Sequence, residues 1–121
     1  MLWYHDHSMG STGFNVEKGL KGLYLLRDKK VESVLPQGEY EVIVLIHHYE
    51  EPAQITSRLK EFKTDAWYWM RFLDINFARE YFVLRLVTPD NKEVPFTLIG
   101  QDSALMKTMV PNLTTFQITS A

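Results

Sequence analysis

Short apolar runs separated by turn-forming residues constrain the fold of this chain most strongly. Residues 42–46 (Val-Ile-Val-Leu-Ile) form a β-branched run that follows the turn-prone segment 35–38, and residues 22–26 form a similar run. Their continuous apolarity is typical of strands buried on both faces. Runs of this kind recur about every 8–12 residues, a spacing that favours an antiparallel sandwich or barrel. We therefore predict an all-β fold.

The second half of the chain contains a candidate hairpin. Residues 81–87 predict a strand, and residues 88–92 (Thr-Pro-Asp-Asn-Lys) predict a turn because proline fixes φ and Asp and Asn tolerate the bends that follow. Residues 94–99 would form the return strand, with Pro95 near its start, where a missing donor matters least. Further strands are expected in the remaining apolar segments. These are residues 66–73 and 114–119, and residues 56–63, for which a short helix is the alternative; residues 16–20 could form a helical turn.

Composition places the chain in an ordinary globular class. Its 121 residues predict one domain, and 45% of them are hydrophobic and 23% charged. The net charge is −2, and no basic stripe interleaves with aromatic residues, so we predict no nucleic-acid partner. No apolar run reaches the ~18 residues that would span a bilayer, so we predict no membrane partner. The absence of cysteine excludes disulfides and thiolate ligands within these residues, and it leaves the cellular compartment undetermined.

One pair of residues carries candidate metal chemistry. His5 and His7 are separated by a single residue, and on a strand this spacing places both imidazoles on one face, about 6.5–7 Å apart at the backbone. The two rings could converge on one metal ion or bind one member each of a close metal pair. Imidazole suits copper and zinc, although such a centre usually needs about three or four ligands. A chance pair of surface histidines is the alternative interpretation of the spacing.

The residues around this pair add to the interpretation. Residues 3–10 (Trp-Tyr-His-Asp-His-Ser-Met-Gly) and 15–28 resemble the end of the first cupredoxin domain of multicopper oxidases, and most closely the branch of spore-coat laccases and bilirubin oxidases. The resemblance implies that His5 and His7 are ligands of the paired type 3 coppers, where oxygen is reduced. It also implies that Gly19 and Gly22 let the chain turn tightly into the next strand.

The resemblance extends over most of the chain. Residues 39–46 are similar to the family's strand that leads into the second domain, residues 67–86 and 94–102 are similar to that second domain, and residues 49–65 resemble the family least. The fold that this implies is an all-β, Greek-key, cupredoxin-like sandwich or barrel. We expect a single such domain over residues 1–121. Within it, residues 1–48 would correspond to the end of the family's first domain, and residues 55–121 to the start of its second.

Two departures from the family pattern shape the functional hypothesis. The family has four His-x-His-type motifs and a cysteine for its type 1 copper, whereas this sequence has one such motif and no cysteine. We therefore expect a protein derived from a multicopper oxidase that binds copper, or zinc as a substitute, without the complete oxidase reaction and with no assigned catalytic residue. The missing ligands would have to come from other subunits or another chain. Open strand edges and uncovered apolar faces predict a homo-oligomer that completes the missing layers, with a compact sandwich formed within the chain as the alternative. The alternative is a non-enzymatic, self-assembling or structural β-sandwich in which His5 and His7 are idle.

Three other groups of residues offer weaker candidates. His47 and His48 could join Glu50 or Glu51 in a metal site, but adjacent strand residues point to opposite faces, so a solvated strand end is favoured. Two remaining groups are better explained by core packing than by ligand binding. They are the aromatic residues Trp67, Tyr68 and Trp69, and the methionines Met9, Met70, Met106 and Met109.

Overall fold

The computed structural model describes residues 1–47, 61–75 and 81–121 and the backbone of residues 54–57, and within them strands predominate, at 49%. The prediction of an all-β fold is confirmed. The strands are β1 (Leu2–His5), β2 (Lys21–Tyr24), β3 (Glu41–His47), β4 (Gln54–Ser57), β5 (Trp69–Ile75), β6 (Tyr81–Arg85), β7 (Phe96–Gln101), β8 (Ala104–Leu113) and β9 (Thr115–Thr119). The helices are α1 (Thr12–Glu17), α2 (Lys29–Glu32) and a 3₁₀ turn at Gly38–Tyr40.

These elements form two compact units. The first comprises Met1–Glu80 together with Ser120–Ala121, and the second comprises Tyr81–Thr119. The first unit contains the sheet β4-β3-β5 and the pair β1-β2, and the second contains the pairs β6-β9 and β7-β8. No helix among the described residues is long and apolar enough to cross a membrane.

The core of the first unit is built on β3, the central strand of its sheet. Val42, Val44 and Ile46 are buried on one face of β3, and the residues between them, on the other face, are half-buried. The prediction of a strand buried on both faces is therefore confirmed fully for one face and in part for the other. β3 pairs antiparallel with β4 but parallel with β5. The parallel pair corrects the expectation of a purely antiparallel arrangement. A parallel pair needs a long crossover connection, and residues 48–68 supply it.

The hairpin formed by β1 and β2 carries the histidine motif. Tyr4 lies opposite Gly22, and a Cβ atom at Gly22 would overlap the Tyr4 ring. Gly22 therefore lets the exposed Tyr4 ring lie across the neighbouring strand, and a side chain at this position would displace that ring; Gly22 does not make the tight turn that the sequence suggested. Gly19 does make that turn, with φ at 98°.

The second unit contains the predicted turn but not the predicted strand pairing. The Thr88 amide donates to the Lys92 carbonyl over 2.9 Å, and Val87 bridges Glu93, so the turn at residues 88–92 forms. The strands before and after this turn do not pair with each other as predicted. Instead, β6 pairs with β9 and β7 pairs with β8. The strand predicted at residues 114–119 is confirmed as β9.

The remaining local predictions have mixed outcomes. The helical turn begins earlier than residues 16–20, as α1. The strand preferred for residues 56–63 is confirmed only where it overlaps β4, which ends at Ser57; residues 58–60 lie outside the described residues, and residues 61–63 are not in a strand. Trp69 is buried as expected. Trp67, Met9 and Met109 are exposed, so the prediction that they pack in the core is wrong. Tyr68, Met70 and Met106 are half-buried.

Candidate metal centre

His5 and His7 lie close together, although not through the geometry that the spacing predicted. His5 is the last residue of β1, and His7 lies in the loop that follows. The expected placement on one strand face is therefore wrong. The loop nevertheless brings the two ring centroids to 5.7 Å, with an angle of 31° between the ring planes.

The His5 ring is fixed by two contacts of its own. The Trp3 ring stacks on it with centroids 4.6 Å apart and an interplanar angle of 26°. The Nδ1 atom of His5 lies 2.6 Å from the Asp6 carbonyl oxygen. Because a carbonyl oxygen can only accept a hydrogen bond, Nδ1 carries the proton and donates it. In the neutral ring the lone pair then lies on Nε2, which is the arrangement in which metal-binding histidines commonly occur.

Asp6, between the two histidines, organises the loop. Its Oδ2 accepts hydrogen bonds from the Ser8 amide over 3.1 Å and from the Asn15 side-chain amide over 2.7 Å, and its Oδ1 accepts from the Ser8 hydroxyl over 2.9 Å. These bonds, above all the one from Asn15, lower the pKa of the Asp6 carboxyl below its usual value. The carboxylate therefore shapes the loop that carries His7 and follows His5.

The sequence contained a partial signal for this network. An Asp followed two residues later by Ser is typical of a turn in which the Asp side chain binds the backbone ahead of it. Asn15 gave no such signal, because it is nine residues away and reaches Asp6 only through the path of the α1 segment.

The two rings fit a metal ion in part. With a metal–nitrogen bond of ~2.0 Å, a metal lies about 3 Å from the centroid of an imidazole, so two rings on one ion lie up to about 6 Å apart. The separation of 5.7 Å falls within that range. Among the described residues, however, no group of three or more His, Asp or Glu side chains could hold a metal ion. The site as described thus offers two ligands.

Large apolar side chains are exposed around this loop. Met9 is two residues after His7, Phe14 lies in α1, and the Leu20 carbonyl accepts the hydrogen bond of the Asp6 amide over 3.0 Å. Tyr4 is exposed on the preceding strand.

The other histidine candidates are His47 and His48. His47 is the last residue of β3, where burial and then the charge of Lys21 lower its pKa. His48, Glu50 and Glu51 lie outside the described residues.

Sequence reasoning missed a cluster of four charged residues in the first unit. The Arg71 Nε donates to Glu41 over 2.7 Å, and Arg27 Nη1 bridges Glu41 at 2.7 Å and Glu32 at 3.2 Å. Arg71 also lies over the Trp69 ring, at 3.6 Å from its centroid. No local pattern in the sequence signals this cluster, because its members come from separate segments of the chain.

Comparison with known proteins identifies the relatives of this chain. It is 49% identical over 47 residues to the laccase of Bacillus subtilis (strain 168), which covers 38% of this chain and 9% of that protein. It is 30% identical over 132 aligned residues to the bilirubin oxidase of Albifimbria verrucaria, covering 88% of this chain and 23% of that protein. The multicopper oxidase LPR1 homolog 5 of Oryza sativa subsp. japonica is 30% identical over 128 aligned residues, which cover 87% and 20%.

The chain is a multicopper oxidase relative. The resemblance inferred from residues 3–28 is thereby confirmed, and so is the cupredoxin-like class of the fold. The chain spans between 9% and 23% of the length of these three relatives. No family model matches the sequence, and no solved structure matches it.

Proposed function

We propose that this multicopper oxidase relative binds copper through His5 and His7, which correspond to one type 3 copper-ligand motif. The observation that carries the proposal is the 5.7 Å separation of two imidazole rings. The bond from the His5 Nδ1 to a carbonyl oxygen supports it, since this bond leaves Nε2 as the ligand atom. Copper is the metal that the names of the relatives imply, and zinc would substitute because it also accepts imidazole.

The remaining ligands would come from a second copy of the chain. Two histidines per chain make four at a two-fold axis, which satisfies the usual coordination number of a copper or zinc site. The exposed side chains of Met9, Phe14 and Leu20 around the loop would be covered in such a dimer. A site of this kind binds metal and does not by itself complete the oxidase reaction of the family.

Copper loading tests this proposal directly. We would titrate Cu(II) into the 121-residue chain, measure bound copper after dialysis, and determine the mass in solution by light scattering. The wild type is expected to bind about one copper per two chains and to form a copper-dependent dimer. The His5→Ala/His7→Ala variant should lose both properties. His47→Gln, which removes an imidazole from the end of β3, is the matched control and should retain them.

The outcomes separate the proposal from its alternative. Equal copper in the wild type and the double variant would contradict the assignment of His5 and His7. A wild type that assembles without any metal would favour a non-enzymatic, self-assembling β-sandwich. Copper-dependent oxygen consumption with a phenolic substrate, measured on the same samples, should remain at the level of the double variant.

A further inference from the structure

We infer that Asp6 and Asn15 are positioning residues that hold His7 at its distance from His5 in the proposed copper site. The inference rests on the proposed copper site. It concerns how this chain builds that site rather than which residues bind the metal.

The two histidines are held in different ways. The His5 ring is fixed by stacking on Trp3 and by its hydrogen bond to the Asp6 carbonyl. The His7 ring is exposed and contacts the His5 ring. Its position therefore depends on the backbone on either side of it.

Hydrogen bonds anchor that backbone on both sides of His7. Before it, the Asp6 amide donates to the Leu20 carbonyl over 3.0 Å, which extends the β1-β2 pairing by one step. After it, the Ser8 carbonyl accepts from the Ser11 amide over 3.1 Å. The Thr12 hydroxyl donates to the same carbonyl over 2.8 Å, and this carbonyl keeps its bond to Ser11 when that hydroxyl is removed.

The Asp6 carboxylate joins these two anchors across His7. By binding the Ser8 amide and hydroxyl, it closes the turn in which His7 is the central residue. Asn15 then ties the same carboxylate to α1 over 2.7 Å. Because Asn15 also accepts the Leu20 amide at its own carbonyl over 2.9 Å, one residue links the helix, the loop and the start of β2.

The position of His7 depends on the hydrogen bonds that the Asp6 side chain makes and not on the charge of that side chain. An asparagine at position 6 could accept from the Ser8 amide and from Asn15 with its single oxygen, and its amide could donate to the Ser8 hydroxyl. An alanine could make none of these bonds. Asp6→Asn and Asp6→Ala therefore distinguish position from charge.

The test compares Cu(II) affinity and the Cu(II) electron paramagnetic resonance spectrum of four variants with those of the wild type. Asn15→Ala and Asp6→Ala are expected to weaken binding by about tenfold or more and to broaden the copper hyperfine lines, since outer-shell partners commonly have effects of this size. Asp6→Asn should retain most of the affinity and the wild-type spectrum. Thr12→Ala, which removes a different bond between α1 and the loop, is the matched control and should also retain both.

A measurement without metal tests the same inference independently. Backbone amide NMR relaxation of residues 6–8 in the metal-free chain should show faster motion in Asn15→Ala than in the wild type or Thr12→Ala. The thermal midpoint of each variant reports whether it remains folded.

Each outcome has one meaning. If the wild type binds no copper, the proposed function fails. If the wild type binds copper and both Asn15→Ala and Asp6→Ala bind it equally well with unchanged spectra, only the positioning role is overturned. A loss in Asp6→Asn as large as in Asp6→Ala would show that charge matters instead. A loss in Thr12→Ala as large as in Asn15→Ala would show that general anchoring of α1 suffices, which also overturns the specific role.

Discussion

Two polar networks in the first unit differ in where they lie and in what they do. The loop network consists of Asp6, Ser8 and Asn15, and it lies near the surface beside the two histidines. The ion cluster consists of Arg27, Glu32, Glu41 and Arg71, and it joins the segment after β2 to the start of β3 and to β5. The side chains of Glu41 and Arg71 are only 8% and 11% exposed.

This difference in burial indicates that the ion cluster stabilises the fold and that the loop network shapes the candidate metal site. Removing one member of a buried ion pair leaves the other charge without compensation in a poorly solvated place, which is costly. Removing a surface hydrogen bond costs little, because water replaces the lost partner. We therefore expect mutations in the ion cluster to lower stability, and mutations in the loop network to change copper binding at nearly constant stability.

The largest expected effect follows from removing Arg71. Arg71→Ala leaves Glu41 buried with only Arg27 as its partner and removes the cation–π contact with Trp69. The free energy of unfolding should fall by about 1.5–3 kcal/mol, the usual range for losing a hydrogen bond to a charged group, because Arg27 still compensates the Glu41 charge. Urea denaturation followed by tryptophan fluorescence would measure it. Lys63→Ala, which breaks the exposed pair with Glu39, is the control and should cause no measurable change.

The comparison fails if these two variants behave alike. An Arg71→Ala protein as stable as the wild type would mean that the buried cluster contributes nothing to the fold. A folded Arg71→Ala protein should still bind copper as the wild type does, since none of the described contacts joins Arg71 to the loop network.

A smaller effect is expected from acid. Burial alone would raise the pKa of Glu41, but hydrogen bonds from Arg71 and Arg27 and their charges outweigh it, so the net pKa is lowered from 4.5. A carboxyl with a lowered native pKa stabilises the fold fully above its unfolded pKa and loses that contribution as the pH falls through the native value. Stability should therefore fall as the pH decreases below about 4.5.

The variant Glu41→Gln isolates this contribution. It should flatten the dependence of unfolding free energy on pH below about 4.5, even though it lowers stability at neutral pH. Glu39→Gln is the matched control, because Glu39 also has a lowered pKa, from its hydrogen bond with Lys63, but lies at the surface. An equal flattening in both variants would contradict a special role for the buried carboxylate.

The sequence predicted strands that have a continuous or alternating apolar pattern and missed a strand that lacks such a pattern. Residues 42–46 and 114–119 were identified because buried or alternating apolar residues define a strand by themselves. β8 was missed because Ala104–Leu113 does not alternate, contains Pro111 and is largely exposed. The partners of β6 and β7 could not be predicted, since the turn at residues 88–92 is compatible with ladders formed elsewhere.

The sequence singled out His5 and His7, which lie close together in the structure, but it did not reveal the contacts that hold them there. His5 and His7 were found from their spacing and flanking residues, but the spacing argument assumed a strand that ends at His5. The stacking of Trp3, the role of Asn15 and the ion cluster all depend on contacts between residues separated along the chain. Such contacts follow from the folded path, which a local pattern does not encode.

The smallest expected effect on stability comes from the N-cap of α2, the helix that contributes Glu32 to the ion cluster. Asp28 caps α2 by accepting hydrogen bonds from the amides of Lys30 over 2.9 Å and Val31 over 3.4 Å, and Glu32 at the end of α2 belongs to the cluster. Asp28→Ala should cost about 1 kcal/mol, as loss of an N-cap usually does. Asp28→Ser, which can still cap, should recover most of it in the same urea titration. Asp28→Ala could instead lower the free energy of unfolding as much as Arg71→Ala does. The ion cluster would then depend on the position that α2 gives to Glu32 as much as on the buried pair of Glu41 and Arg71. In that case both networks would rely on a short helix to hold a carboxylate in place.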